Sequence, residues 1–190
     1  MITLYDAPRC PYCARVRIVL AEKAVEFETV AIDLAKRPDW IYEKNALGKV
    51  PVFEEGEFVL PESDVIMEYL EERYPEPQLL PADPEARALV RLVVERFDTN
   101  LGDAYYAFRR KDEDGAERLG HCLSFFERNV ARWPDRPSLA EIAYVPWLIR
   151  LRDLFGFGLS PYPALRERLE RLCERPAVAA EVDVVAALPR

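Results

Sequence analysis

Over the first 75 residues, short apolar runs alternate with amphipathic stretches, and after residue 83 apolar positions recur every three or four residues. Ile2-Thr3-Leu4-Tyr5 reads as a short strand, ended by Asp6, Ala7 and Pro8. A helix is expected over 11–23, with Val16, Val19 and Leu20 as its apolar stripe. Residues 27–32 read as a second strand, and a β-α-β unit implies parallel pairing through a right-handed crossover. A short helix follows near residues 39–44. Runs at 50–54 and 58–60 then flank Glu55-Gly56-Glu57, a hairpin signal. Pro51, at the start of a strand, is a plausible cis site. A third helix opens at Ser63, with Ile66, Tyr69, Leu70 and Tyr74 on one face and Asp64, Glu68, Glu71 and Glu72 on the other.

The order β-α-β-α-β-β-α is that of a thioredoxin-like half. Prolines at 75, 77 and 81 cannot continue a helix, so residues 76–82 read as a linker. Asp83 caps the next helix, with Pro84 at its first position. Leu89, Val90, Val93, Val94, Phe97, Leu101, Ala104, Tyr105 and Phe108 predict about six continuous turns. Another helix carries Leu119, Leu123, Phe126 and Val130. Ser138-Leu139-Ala140-Glu141 is a capping box opening a helix through residue 154, with Pro146 expected to kink it. The last predicted helix, 164–173, stops before Pro176. The expected fold is therefore α/β plus all-α: a thioredoxin-like domain over 1–75, then an all-helical domain over 83–190.

Charge supports two units. Residues 1–83 hold 9 basic and 17 acidic side chains, residues 84–190 hold 17 of each, and the net charge is −8. Non-specific nucleic-acid binding needs a basic surface and is not expected. No apolar run approaches the ~20 residues of a membrane span. The first residues show neither a basic leader nor a small-residue cleavage site, so a cytoplasmic location is expected. Four cysteines do not make a secreted disulfide scaffold. Only Cys10 and Cys13 are close in sequence and the sole histidine is His121, so no metal site is expected.

Cys10-Pro11-Tyr12-Cys13 carries the chemistry. A Cys-X-X-Cys after a first strand and at the mouth of a helix is where a thiol is acidified, because helix-end N–H groups and the dipole favour a thiolate. Arg9, Arg15 and Arg17 are expected to add positive potential. The expected result is a Cys10 pKa well below the free value of about 8.5. Cys10 attacks, and Cys13, one turn in and more covered, is available to resolve a mixed disulfide.

These residues resemble the glutathione transferase superfamily, and within it the cysteine-type branch of omega-class transferases and dehydroascorbate reductases. The likeness rests on the active-site turn Arg9 to Arg17, on Arg37-Pro38-Asp39-Trp40, on Gly48-Lys49-Val50-Pro51-Val52, and on Pro61-Glu62-Ser63-Asp64-Val65-Ile66. Ser138 to Ala143 and Arg175-Pro176-Ala177-Val178 extend it into the helical part. The resemblance implies glutathione as co-substrate. Glu62 would accept from its γ-glutamyl ammonium, and Ser63 with the neighbouring N–H groups would hold the carboxylate. Val50, before a cis Pro51, would pair with the cysteinyl backbone. Arg37 or Lys49 would meet the glycine carboxylate. A homodimer is implied as well.

Omega-like enzymes usually have another residue where Cys13 stands, whereas Cys-Pro-Tyr-Cys is the glutaredoxin pattern. That moves the expectation toward thiol transfer between glutathione and a small or protein disulfide or other oxidised acceptor. The alternatives are glutathione conjugation to electrophiles, a non-catalytic transferase-fold binding protein, and a dimer bridged by an iron–sulfur cluster at Cys10. Tyr105, Tyr106, Phe108, Tyr144 and Trp147 are candidates for an acceptor pocket, although aromatics at helical spacing are more often core. His121, Cys122 and Cys173 read as helix packing.

Overall fold

The expected order is present in the computed structural model, which describes residues 1–130 and 137–189. It runs β1 (Ile2–Asp6), α1 (Pro11–Glu22), β2 (Glu28–Ala31), α2 (Ile41–Lys44), β3 (Val52–Glu55), β4 (Phe58–Pro61) and α3 (Ser63–Arg73). Helices α4 (Pro84–Arg96), α5 (Gly102–Arg110), α6 (Gly115–Asn129), α7 (Leu139–Ile149), α8 (Pro163–Cys173) and α9 (Pro176–Ala186) follow. A thioredoxin-like part followed by helices is thus the fold. Two compact units form: Met1–Leu79 together with the stretch from Pro176 onward, and Leu80–Arg175.

In the first unit the strands pair in the order β2-β1-β3-β4. β1 runs parallel to β2, and β3 is antiparallel to both β1 and β4. Tyr5 lies opposite Val52, and Val52 lies opposite Pro61. That register brings the ends of β1 and β4 and the start of β3 to one edge of the sheet. α1 is nearly all buried, including Arg15 at 0 % exposure.

Two ion clusters tie helices to this unit. The Lys23 ammonium lies 2.5 Å from the Glu71 carboxylate and donates to the Pro77 carbonyl. Glu71 also accepts from the Leu79 N–H. Arg17 on α1 bridges Asp6 at the end of β1 and Glu181 on α9. This is why α9 groups with the first unit, whereas the sequence reading places 83–190 in one helical half and ends its last helix before Pro176. Proline lacks only an N–H that a first turn leaves unpaired, so Pro176 opens a further helix.

In the second unit the predicted six-turn helix is α4 and α5 joined by a π-helical segment, Phe97–Leu101. Its wider turn brings Phe97 into the core, with ring centroids 5.0 Å from Trp147 and 5.6 Å from Phe126. Gly115 opens α6 against α5, where an added Cβ would sit 2.7 Å from the Ala107 backbone. Glu127 on α6 accepts from the Ala164 and Leu165 N–H groups, satisfying the start of α8. Glu141 accepts from the Ser138 N–H, the N3-to-N-cap half of the expected box, and pairs with Arg168 at 2.5 Å. α7 stays helical through Pro146, and the irregular turn lies downstream at Arg150–Leu154.

Removing one partner of a buried pair leaves a charge without compensation, typically costing about 3–5 kcal/mol. Lys23→Met is expected to lower the unfolding free energy of the first unit by about that amount, read by denaturant titration. A loss below about 1 kcal/mol would show that Glu71 is satisfied without it.

Candidate active site at the α1 N-terminus

The strand register explains how distant residues converge. Continuing the Tyr5–Val52 pairing past the sheet edge sets Ala7 near the level of Val50, while Glu62 and Ser63 follow Pro61 at the same edge. Cys10 folds back through its N–H to the Ala7 carbonyl at 2.7 Å, then becomes the N-cap of α1 with Pro11 at the first helical position. Its sulfur lies 3.9 Å from the Val50 carbonyl oxygen. The Val50–Pro51 peptide is cis, as anticipated. Cys10 makes no side-chain cap bond, so the helix-end N–H groups are not claimed by its sulfur.

Cys10 is half-exposed and Cys13 is fully buried, and both are free thiols. Burial pushes the Cys13 thiol well above its ordinary value, and a hydrogen bond to Cys10 pushes the same way. Burial also raises Cys122 and Cys173.

The arginines are more engaged than the sequence implies. Arg9 donates to the Pro189 carbonyl, and Arg17 is spoken for by Asp6 and Glu181. Arg15 lies under the Tyr12 ring at 5.1 Å and its guanidinium donates to the Ser63 hydroxyl at 3.4 Å. A charge on the buried face of α1 thus reaches the opening of α3. Its signal is an arginine set between Ala14 and Val16 in the sequence of that helix.

Glu62 is exposed and forms the N-cap of α3 at φ +72°, ψ 114°, a conformation that side chains disfavour. Ser63 is buried and is the first helical residue, not the cap. Asn45 braces the loop before Pro51, donating to the Lys49 carbonyl and accepting from the Leu47 N–H. Gly48 sits there at φ +59°, and an added Cβ would fall 2.6 Å from the Tyr42 ring. Cys10, Cys13, Val50, Pro51, Glu62 and Ser63 are brought together. Arg37 and Lys49 are exposed, and among the described residues no bond ties either side chain to that cluster.

Tyr5 packs in the core, with its hydroxyl on Glu54 at 2.9 Å. Of the candidate pocket aromatics, Tyr105, Tyr144 and Trp147 are core residues of the second unit, whereas Tyr106 and Phe108 are half-buried. His121 and Cys122 line a groove on that unit.

Residues 4–78 match the family model described as glutathione S-transferase, N-terminal domain. Glutathione S-transferase omega-2 of Mus musculus is 39% identical over 199 residues, covering 95% of this chain and 78% of that protein. The chain belongs to the glutathione S-transferase family. A stringent starvation protein A homolog of Pasteurella multocida is 32% identical, covering 98% of this chain and 92% of that protein. The solved structure of glutathione transferase Omega 1C from Trametes versicolor superposes with a TM-score of 0.81 at 27% identity, covering 97% of this chain and 93% of that one. Among the described residues, no helix is long and apolar enough to cross a membrane.

The backbone strain at Glu62 has a measurable consequence. Glycine tolerates positive φ, so Glu62→Gly is expected to raise the unfolding free energy by about 1 kcal/mol relative to Glu62→Ala. Equal stabilities would show that this turn relaxes without cost.

Proposed function

We propose that this chain is a glutathione-dependent thiol transferase in which the Cys10 thiolate forms a mixed disulfide with glutathione. The observation that carries the reading is the partly exposed Cys10 at a helix N-terminus that its side chain does not cap, with Cys13 fully buried one turn on. Backbone N–H groups and the helix dipole favour a thiolate there. That thiolate attacks the sulfur of a glutathionylated acceptor, and the acceptor leaves as its own thiolate. A second glutathione thiolate then attacks the mixed disulfide, releasing oxidised glutathione and restoring Cys10.

Glu62, Ser63, Val50 and Pro51 form the proposed glutathione clamp. The Glu62 carboxylate accepts from the γ-glutamyl ammonium. The Ser63 hydroxyl, with N–H groups at the start of α3, receives the adjacent carboxylate. The Val50 carbonyl beside the Cys10 sulfur faces the cysteinyl backbone. Arg37 or Lys49 supplies a cation for the glycine end. Four free thiols suit a reducing cytoplasm.

The proposed assembly is a homodimer. α4 and α6 enclose an open groove of about 960 Å³, lined among others by Leu89, Val93, Phe125 and Phe126. Leu89, Leu92 and Phe125 are exposed there, and family membership supports a second copy as the cover. Leu89→Lys is expected to shift sedimentation from dimer to monomer. An unchanged sedimentation coefficient would place the interface elsewhere.

A relative named for starvation and not for catalysis favours a second reading, binding without chemistry. Cysteine reactivity separates the two. Since Cys13, Cys122 and Cys173 are raised above the ordinary thiol value, they remain protonated below neutral pH. Alkylation at pH 6 is therefore expected at Cys10 first, and Cys10→Ser is expected to abolish thiol transfer. Equal labelling at Cys122 or Cys173, or a fully active Cys10→Ser variant, would leave conjugation or binding.

The clamp is tested by Glu62→Ala and Ser63→Ala. Loss of a charge-assisted bond, about 1.5–3 kcal/mol, is expected to weaken glutathione binding by roughly 10- to 150-fold in calorimetry. Unchanged affinity in both variants would refute the clamp.

A further inference from the structure

Arg15 is a charged side chain on the buried length of α1, at 0 % exposure. The Tyr12 ring lies 5.1 Å from its guanidinium carbon, and one guanidinium nitrogen donates to the Ser63 hydroxyl at 3.4 Å. Ser63 is itself 6 % exposed, so bulk water has little access to this contact. A buried cation on the active-site helix therefore touches the residue that opens α3.

The direction of that bond is fixed by chemistry. A guanidinium carries N–H donors and no acceptor, so Ser63 can only receive from it, whatever else Arg15 touches. The hydroxyl's single proton is then left for a second partner, and the neighbouring positive charge turns it away from Arg15. Glu62 holds the N-cap position, so the Ser63 side chain is not taken up in capping. As the first helical residue, Ser63 also has no helical turn behind it whose carbonyl would take the proton. Among the described residues, its side chain makes no second hydrogen bond. A donor hydroxyl beside the free N–H groups of a helix start suits a carboxylate and not an ammonium.

We propose that Arg15 is a positioning residue of the glutathione clamp, which by donating to the Ser63 hydroxyl turns that hydroxyl's proton toward the γ-glutamyl carboxylate. The proposal rests on the clamp reading of Glu62 and Ser63 and adds what sets its polarity. An unguided hydroxyl serves either end of the γ-glutamyl group, because it donates and accepts equally well. With Arg15 in place, Ser63 is oriented for the carboxylate before the ligand arrives, and the ammonium is left to Glu62. Orientation fixed in advance lowers the cost of binding.

Calorimetry on the full chain tests this with S-methylglutathione, which has no thiol for Cys10, and with the same molecule carrying hydrogen in place of its γ-glutamyl carboxylate. The ratio of the two affinities reads the carboxylate contact alone, since a general loosening of the site weakens both ligands alike. For the parent protein a ratio of roughly 100-fold is expected, from the hydroxyl and the helix-end N–H groups together. Arg15→Gln and Arg15→Met each remove the donor-only group, and either folded variant is expected to lower the ratio to roughly 10-fold, as is Ser63→Ala. Arg15→Lys, again a donor-only group, is expected to hold the ratio near the parent value. Arg15→Gln combined with Ser63→Ala is expected to lower it no further than Ser63→Ala alone. A parent ratio retained in folded Arg15→Gln or Arg15→Met would overturn the positioning role. A further fall in the double variant would overturn it too, since Arg15 would then act on the carboxylate directly. So would a ratio unchanged by Ser63→Ala with Arg15 intact. Equal affinities of the two ligands for the parent protein would overturn the clamp itself, and the role of Arg15 with it.

Discussion

The pairing of β3 with both of its neighbours is the constraint on which the site depends. Val52 lies opposite Tyr5 on one side and Pro61 on the other, so three chain segments leave the sheet at one edge. A one-residue slip would turn every side chain of β3 to the other face, misplacing Val52 and Phe53 in the two packed layers and removing Val50 from the Cys10 sulfur. The register is held by burial: Leu4, Val52 and Phe53 are all at 0 % exposure. The same apolar pattern that folds the sheet therefore sets which backbone carbonyl faces the Cys10 sulfur.

Once that edge exists, one helix serves both as core and as electrostatic device. α1 begins at Cys10 and is covered on nearly every side, so its first turn is presented and the rest is fixed. Burial gives two chemically identical thiols different surroundings. Cys10 lies where helix-end dipoles act and water reaches, and Cys13 lies where a charge is costly. Arg15 links the same helix to Ser63 and Arg17 links it to β1 and α9, so the two arginines anchor the helix at both faces and do not simply bathe its end in positive potential.

Much of this was legible from residue types. The strand and helix order, the Cys10–Cys13 turn, the cis Val50–Pro51 step and the place of Glu62 and Ser63 all follow from local pattern or from motif likeness. What escaped depends on contacts far apart in sequence. Glu181 is an unremarkable acid in an alanine- and valine-rich stretch until α9 is seen against α1, and the bridge to Arg17 spans 164 positions. The π-helical segment at Phe97–Leu101 was hidden because a single widened turn barely disturbs a three- and four-residue rhythm. In sequence Pro176 reads as an end because proline breaks a helix interior, yet at a first turn it begins one.

The fold alone does not decide between catalysis and binding, since one scaffold hosts both. The proposal of catalysis is argued from the site. Binding alone gives no reason to place one thiol within reach of water at a helix N-terminus and enclose its neighbour in apolar surroundings, on a helix held by two buried carboxylates. Each of those carboxylates is costly to bury unless paired, and Arg17 provides the pairing. A cheaper arrangement for a purely structural helix would replace Asp6, Arg17 and Glu181 with apolar residues of similar volume. What Asp6, Arg17 and Glu181 do join is β1, α1 and α9, so their charges fix the helix whose first turn carries Cys10.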